Sequence, residues 1–497
     1  MRRFLRWPLR AAAAAAALFL TVTLLRGFDA RKRGEMRPWH TVAPSAEVRA
    51  ADLGALSTLA DYLRREDAVF REVQQKVRDR VPALDRTAAN RYWDGSPLAA
   101  GRHPRDWNRT FELAPSEIRG GALLLHGLTD APYSMRPLAE IYRSEGFYAL
   151  ALRLPGHGTV PGSLTRTSWP DWAAAVRMGM RHVREKAGAG QPVHLVGYSN
   201  GGALAVNYAL ETLDDPALPR PDRLLLLSPM IGVTPFAGFA RWIGLLGAFP
   251  YFEQTRWLDV MPEYVPFKYN SFPANAAAQT YELTNVLDEK LGSAASRGRI
   301  RDLPPALAFI SLVDATVISG ATVHGLFDRL QPNGSDLVVF DLNRVNALAA
   351  FLKDGGNALL EDLASRPTRP YDFSLVTNSR PDRLDVVERK FPSGRAPARE
   401  EPLGLSWPRE VFSLSHVAIP FPETDPLFGG RPDESESYGL RLGLVGPRGE
   451  KSLLSVPIEQ FMRLTWNPFF PYMEARVRAW IRGSAGAEPP PAARPGS

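Results

Sequence analysis

The sequence predicts an α/β fold built on a mostly parallel sheet, and three observations predict it. From residue 120 short apolar runs alternate with helical stretches. The runs are continuously apolar instead of alternating, as in strands buried on both faces. One run, Val193–Val196, passes through a Gly-x-Ser-x-Gly turn straight into a helical stretch. The 497 residues allow one large α/β domain with insertions or about three separate domains. With 45% apolar and 23% charged residues, the composition is globular and excludes disorder, collagen and a polytopic membrane protein. The absence of cysteine excludes disulfides, thiolate metal sites and cysteine nucleophiles.

In chain order, residues 1–40 form a basic leader and 41–115 a lead-in, with apolar spacing between Ala51 and Asp79 that predicts a helix. The first part of the α/β region spans 116–229. There Gly121–Leu128, Tyr148–Leu154, Val193–Val196 and Leu224–Leu227 read as strands, and Tyr133–Ser144, Trp169–Lys186 and Asn200–Thr212 as helices. Residues 230–303 interrupt the alternation and are aromatic-rich, with eleven aromatics in the 37 positions from Phe236 to Phe272. The alternation resumes over 304–343 with a strand at Ala306–Leu312, a helix at Thr322–Leu330 and a strand at Leu337–Phe340. A second interruption, 344–410, holds strand-like Tyr371–Thr377 and Leu384–Val387. Over 411–484 come the strand-like Ser413–Ile419 and a helix near Ile458–Ile481, and the Pro, Gly and Ala of 485–497 read as a disordered tail.

Net charge is confined to the leader. Residues 1–40 carry nine bases against two acids, so the chain's +7 resides there, and the other 457 residues balance 51 bases against 51 acids. A neutral body lacks the field that phosphate-backbone binding needs, which excludes nucleic acid as a partner. Within the leader, Ala11–Leu25 is uncharged and flanked by arginines. Fifteen helical residues span about 22 Å, short of a ~30 Å hydrocarbon core. An uncleaved anchor with snorkelling arginines fits better than a cleaved signal, because Arg26-Gly27-Phe28-Asp29-Ala30 makes a poor cleavage site. The expected location is the bacterial inner membrane, with the rest of the chain exported. The alternative is a cleaved, secreted or periplasmic protein.

The strongest local signal is Val193-His194-Leu195-Val196-Gly197-Tyr198-Ser199-Asn200-Gly201-Gly202. A serine hydroxyl becomes a nucleophile when a base takes its proton and the backbone exposes it, and a sharp strand-to-helix turn between glycines gives that exposure. Acyl transfer also develops a negative oxygen that needs two preorganised N–H donors. The Asn200 N–H, at the helix N-terminus, is one. The Leu128 N–H, in the loop after His126-Gly127, is the natural second. His126 and His157 read as organisers of their loops.

Together, His126-Gly127, Arg153-Leu154-Pro155-Gly156-His157-Gly158 and Gly197-Tyr198-Ser199-Asn200-Gly201-Gly202 resemble the α/β-hydrolase superfamily, above all its monoglyceride lipase, carboxylesterase and serine aminopeptidase-like branch. The resemblance covers residues 116–230 and 304–342. It implies an α/β-hydrolase fold with 230–303 as an inserted cap, and a triad in the chain order Ser, Asp or Glu, His. Asp314, after the strand Ala306–Leu312, matches the strand-end acid. Asp302, Asp328 and Asp341 read as surface charges, with Asp341, after the next strand, as the alternative acid. The base departs from the pattern, since Asp341-Leu342-Asn343-Arg344-Val345 contains no histidine. Of the two histidines after Asp314, His324 sits in a helical stretch and His416 beside a strand-like run. His416 is therefore the expected base and 344–410 an insertion that delays it. No metal-binding constellation and no dinucleotide fingerprint occurs, so neither metal nor cofactor is expected. The reading is a serine hydrolase of carboxylic, lipid-like or acyl esters. A peptidase or amidase, and a non-catalytic scaffold of the same fold, are the alternatives.

Overall fold

The structure, a computed structural model, describes Thr21 and residues 35–483 apart from 55–56, 233–249, 315–316, 350–356, 367, 395–398 and 449–452. The leader segment Ala11–Leu25, Thr21 excepted, and the tail lie outside the described residues. Among the described residues no helix is long and apolar enough to cross a membrane.

Helix α1 (Leu59–Lys76) carries the lead-in. Thr58 caps it by accepting from the Asp61 N–H while the Asp61 carboxylate accepts from the Thr58 N–H, which satisfies two of the donors that a helix start leaves over. Trp39 and His40, at the end of the leader, are buried against the body. Trp39 stacks on Tyr92 at 5.2 Å, and the His40 ring lies 3.1 Å from the Ser271 hydroxyl.

The strands follow in the order β1 (Phe111–Leu113), β2 (Gly120–Leu125), β3 (Phe147–Leu152), β4 (Val193–Tyr198) and β5 (Arg223–Leu227), then a ribbon of β6 (Trp257–Asp259) and β7 (Phe272–Pro273). Next come β8 (Ala306–Ser311), β9 (Asp336–Phe340), β10 (Asp372–Asn378), β11 (Asp385–Phe391) and β12 (Arg399–Ser406). All but the ribbon form one ten-stranded sheet in the order β1-β3-β2-β4-β5-β8-β9-β10-β11-β12. It is parallel from β3 to β10, with β1 antiparallel at one edge and β11 and β12 at the other.

The helices are α2 (Arg136–Ser144), α3 (Trp169–Ala187), α4 (Asn200–Asp214), α5 (Ala274–Ser296), α6 (Asn357–Ser365) and α7 (Phe470–Ile481). Successive strand residues face opposite sides. Leu123, Leu125, Leu150 and Leu195 therefore enter one core with residues of α3, α4 and α5. Leu124, Ala149, Val196 and Phe309 enter the other with residues of α2 and α7. Both faces are covered, which is why the strands read as unbroken apolar runs.

The sequence expectations differ from the structure in several places, among them the helix expected near Ile458–Ile481, which is one turn at Ile458–Phe461 and a separate helix at Phe470–Ile481. Thr322–Leu330 is a wide π-type turn over Ala321–Leu326 followed by a tight turn, not a regular helix. Ser413–Ile419 is a loop ending in a single turn at His416–Ala418; its apolar residues Leu414, Ala418 and Ile419 are buried by packing, not by pairing. Strand β12 was not expected, since only half its residues are apolar or small and they alternate in exposure at the sheet edge.

Register sets up the site. Leu125 pairs with Leu152 and Gly197, Tyr198 with Leu227, and Leu227 with Phe309. The C-terminal ends of β2, β4, β5 and β8 are thus level, and their loops gather at one edge, where open α/β sheets bind ligands.

Candidate active site

Ser199 occupies the turn between β4 and α4 with φ 53° and ψ −116°, a conformation costly for a residue with a Cβ. The turn is held by the Ser199 N–H donating to Leu227 O at 2.9 Å and the Met230 N–H donating to Ser199 O at 3.0 Å. It can close because of two glycines. A Cβ on Gly197 would lie 2.4 Å from Gly201 O, and one on Gly201 would lie 2.2 Å from Leu125 O. The Gly-x-Ser-x-Gly spacing is thus a packing requirement of this turn.

Asp314 follows β8, and the Val317 N–H donates to its Oδ1 at 3.0 Å. That same oxygen lies 3.0 Å from Nδ1 of His416, with both side chains buried. The expected acid and base are therefore together. His324, by contrast, pairs with Asp328 at 2.9 Å on the surface. Asp341 is not the surface charge expected of it. It is buried and fully engaged by Arg344, the Thr377 hydroxyl at 2.7 Å and the Leu342 N–H at 2.7 Å. Asp328 and Asp302 are partly exposed and paired with arginines.

Leu128 opens the loop after β2, and Thr129 beside it has φ 65°, held as its carbonyl accepts from the Tyr269 N–H at 2.8 Å. His126 orders this region as expected. Its Nε2 accepts from the Leu154 N–H at 3.1 Å and its Nδ1 lies 2.9 Å from Gly127 O, while burial lowers its pKa to about 4. His157 likewise bonds Pro155 O through Nδ1 at 3.0 Å, and burial holds it neutral.

Ser199, His416 and Leu128 line one cavity of about 570 Å³. Its far walls are largely apolar: Leu258, Met261, Tyr264, Tyr269 and Phe272 from the aromatic segment, and Phe421 and Phe428 from the loop after His416. Other aromatics of that segment pack instead, with Trp257 against His40 and Phe267 stacked on Tyr133 at 4.4 Å.

Sequence reasoning missed three features. Lys268 pairs with Asp130 at 3.5 Å inside the cavity, where burial raises the Asp130 pKa and the facing Lys268 and His416 oppose that rise. Asp425 accepts from the Tyr133 hydroxyl at 2.9 Å and from the Leu427 and Phe428 N–H groups at 3.0 and 2.8 Å, which pins the wall carrying Phe421 and Phe428. Arg153, fully buried, bridges Glu47 and Glu66 at 3.0 and 3.1 Å and fastens the lead-in to the loop after β3. Each joins residues far apart in the chain, so no local spacing announces it. Among the described residues no group of His, Cys, Asp and Glu could hold a metal ion.

An α/β sheet with a serine in a strained strand-to-helix turn, on a cavity that a histidine paired with an aspartate also lines, is an arrangement suited to hydrolysis. The profile of the alpha/beta hydrolase family matches residues 122–342. The thermostable monoacylglycerol lipase of Bacillus sp. (strain H-257) is 30% identical over 203 residues, 40% of this chain and 72% of that one. The chain belongs to the alpha/beta hydrolase family and is a lipase/esterase-like hydrolase. Among solved structures, the monoacylglycerol lipase of Paleococcus ferrophilus is similar with a TM-score of 0.35 at 17% identity, covering 47% of this chain and 88% of that one. A soluble variant of the monoglyceride lipase of Saccharomyces cerevisiae, in complex with a substrate analogue, is similar with a TM-score of 0.35 at 13% identity, covering 47% and 82%.

Proposed function

We propose that the chain hydrolyses carboxylic esters with an apolar acyl chain through Ser199, His416 and Asp314. The single observation that carries this reading is the 3.0 Å His416–Asp314 contact at the edge of the cavity that Ser199 also lines. Asp314 on Nδ1 fixes the tautomer that leaves Nε2 free to accept a proton. His416 takes the Ser199 proton as the oxygen attacks the ester carbonyl. The N–H groups of Leu128 and Asn200 receive the developing oxyanion. His416 then protonates the departing alcohol, leaving an acyl-Ser199 ester. Water, deprotonated by the same imidazole, attacks that ester and releases the carboxylic acid, and the proton returns to Ser199.

The apolar cap wall suits a fatty acyl chain, and the similarity to a monoacylglycerol lipase supports a lipid ester as substrate. The arginine-flanked run Ala11–Leu25 supports attachment to a membrane through the leader. Hydrolysis of p-nitrophenyl esters of increasing acyl length, beside aminoacyl amides and fluorophosphonate labelling, tests the reading. Esters of medium or long chain should be cleaved, amides should not, and the label should be absent from Ser199→Ala. Amide cleavage in preference to ester cleavage would overturn it.

A further inference from the structure

Seven large apolar side chains stand exposed among the described residues, and four of them, Leu444, Leu453, Leu454 and Met462, fall within one stretch, 442–463. Leu453 is 86% exposed and Met462 65%. The same stretch supplies Leu442, Gln460, Phe461 and Arg463 to the cavity lining. The two sets interleave. Leu442 lines the cavity while Leu444, at the other end of the same turn, faces outward. Phe461 and Arg463 line it while Met462 between them faces outward. The apolar wall of the cavity therefore runs out onto the surface here.

Over 441–463 the sequence carries four bases, Arg441, Arg448, Lys451 and Arg463, against two acids, Glu450 and Glu459, an excess of two positive charges. Among the described residues none of Arg441, Arg448 and Arg463 meets a carboxylate. Most arginines elsewhere in the body do, as at Arg136, Arg177 and Arg476. Exposed apolar side chains in a stretch with an excess of cations suit an anionic lipid surface, which takes Leu and Met side chains below its headgroups and the guanidinium groups among them. A second copy of the chain fits poorly, since a two-fold contact would set the same arginines against one another.

We propose that residues 441–448 and 453–463 seat the mouth of the cavity on an anionic lipid surface, so that an acyl chain passes from bilayer to Ser199 without crossing water. The proposal rests on the esterase reading for its purpose, but its geometry can be tested apart from catalysis. The chain has no cysteine, so Leu453→Cys and Met462→Cys each accept one environment-sensitive fluorophore. Leu84→Cys, at an 89% exposed site in the lead-in, is the control.

With the full chain reconstituted in phosphatidylcholine vesicles containing phosphatidylglycerol, the labels at 453 and 462 should shift to the blue and the label at 84 should not. Without phosphatidylglycerol the shift should shrink. In Arg441→Gln and Arg448→Gln the affinity for charged vesicles should fall about fivefold for each charge removed. Labels at 453 and 462 that stay as aqueous as that at 84 overturn the proposal. So does a shift indifferent to phosphatidylglycerol. A shift that instead follows protein concentration in the absence of vesicles assigns the surface to a second copy and overturns it too.

For catalysis, a combined Leu444→Ser, Leu453→Ser, Met462→Ser variant should hydrolyse a vesicle-embedded long-chain ester about tenfold more slowly or worse. Its rate on a soluble short-chain ester should stay within about twofold. Equal rates on embedded ester in variant and parent overturn the docking role. Absence of any ester hydrolysis in the parent removes the esterase reading instead, while the fluorophores still decide whether the surface inserts.

Discussion

His416 and Asp314 meet at 3.0 Å across the end of the sheet although four strands of the chain, β9 to β12, are folded between them. The proposed base therefore reaches its place from a loop beyond the sheet's far edge. Its position relative to Ser199 depends on how residues 344–415 pack.

Removal of either proposed partner should be nearly as damaging as removal of the nucleophile, because such groups act as a unit and their losses do not add. His416→Ala and Ser199→Ala should each lower kcat on a soluble ester by at least about 10³-fold, with melting temperatures close to the parent. His324→Ala should keep most activity. An active His416→Ala beside a folded, inactive His324→Ala would reverse the assignment.

The close approach at the turn makes Gly201→Ala a stability variant as well as an activity variant. Its methyl would need the space of Leu125 O, 2.2 Å away. A loss of about 1–3 kcal/mol or more in urea unfolding is expected, because backbone on both sides must move. An unchanged unfolding midpoint would show that the turn has slack.

Arg153→Leu should destabilise the chain by about 3–5 kcal/mol, since it strands the buried carboxylates of Glu47 and Glu66. Replacing all three residues with apolar ones should recover much of that loss. Urea unfolding of the two variants separates the cost of an unpaired charge from the worth of the network. Equal instability in both would mean that the network's shape matters more than its charges.

Asp425 predicts a pH dependence. Burial raises its carboxyl from 3.8 to about 6 in the folded chain. The folded state then binds more proton than the unfolded state between roughly pH 4 and 6, so this group's contribution falls as pH rises through that window and is flat above it. The difference approaches about 3 kcal/mol at pH 7. Unfolding midpoints measured from pH 4 to 7 should decline less in Asp425→Asn than in the parent, because asparagine cannot ionise. Parallel curves for the two would remove Asp425 as the source.

The leader offers a simpler test. A chain beginning at Glu35 keeps the buried Trp39 and His40 and should leave the membrane fraction, whereas the full chain should sediment with it. Release of both, or a mature terminus near residues 27–31, would replace the anchor with a cleaved signal.

What could be read in advance has a physical pattern. Strands buried on both faces keep an unbroken apolar run, so β2, β4 and β8 were visible in the sequence. The Ser199 turn was visible because its glycines are steric necessities. His416 was reached by elimination, helped by the scarcity of histidine after Asp314. Asp341 was misjudged because a buried carboxylate with Arg344 and Thr377 around it looks, in one dimension, like any acid after a strand. The Asp130–Lys268 pair, the Asp425 pin and the Arg153 bridge are pairings made only by the folded chain.

Strands β10 to β12 also have a temporal meaning. A ribosome completes the serine turn and the acid strand first, and then makes four further strands, β9 to β12, before it reaches His416. On the proposed triad, a nascent chain thus holds an elbow serine without the imidazole that would draw its proton. Hydrolytic competence on that proposed triad waits until the sheet has been extended to its far edge.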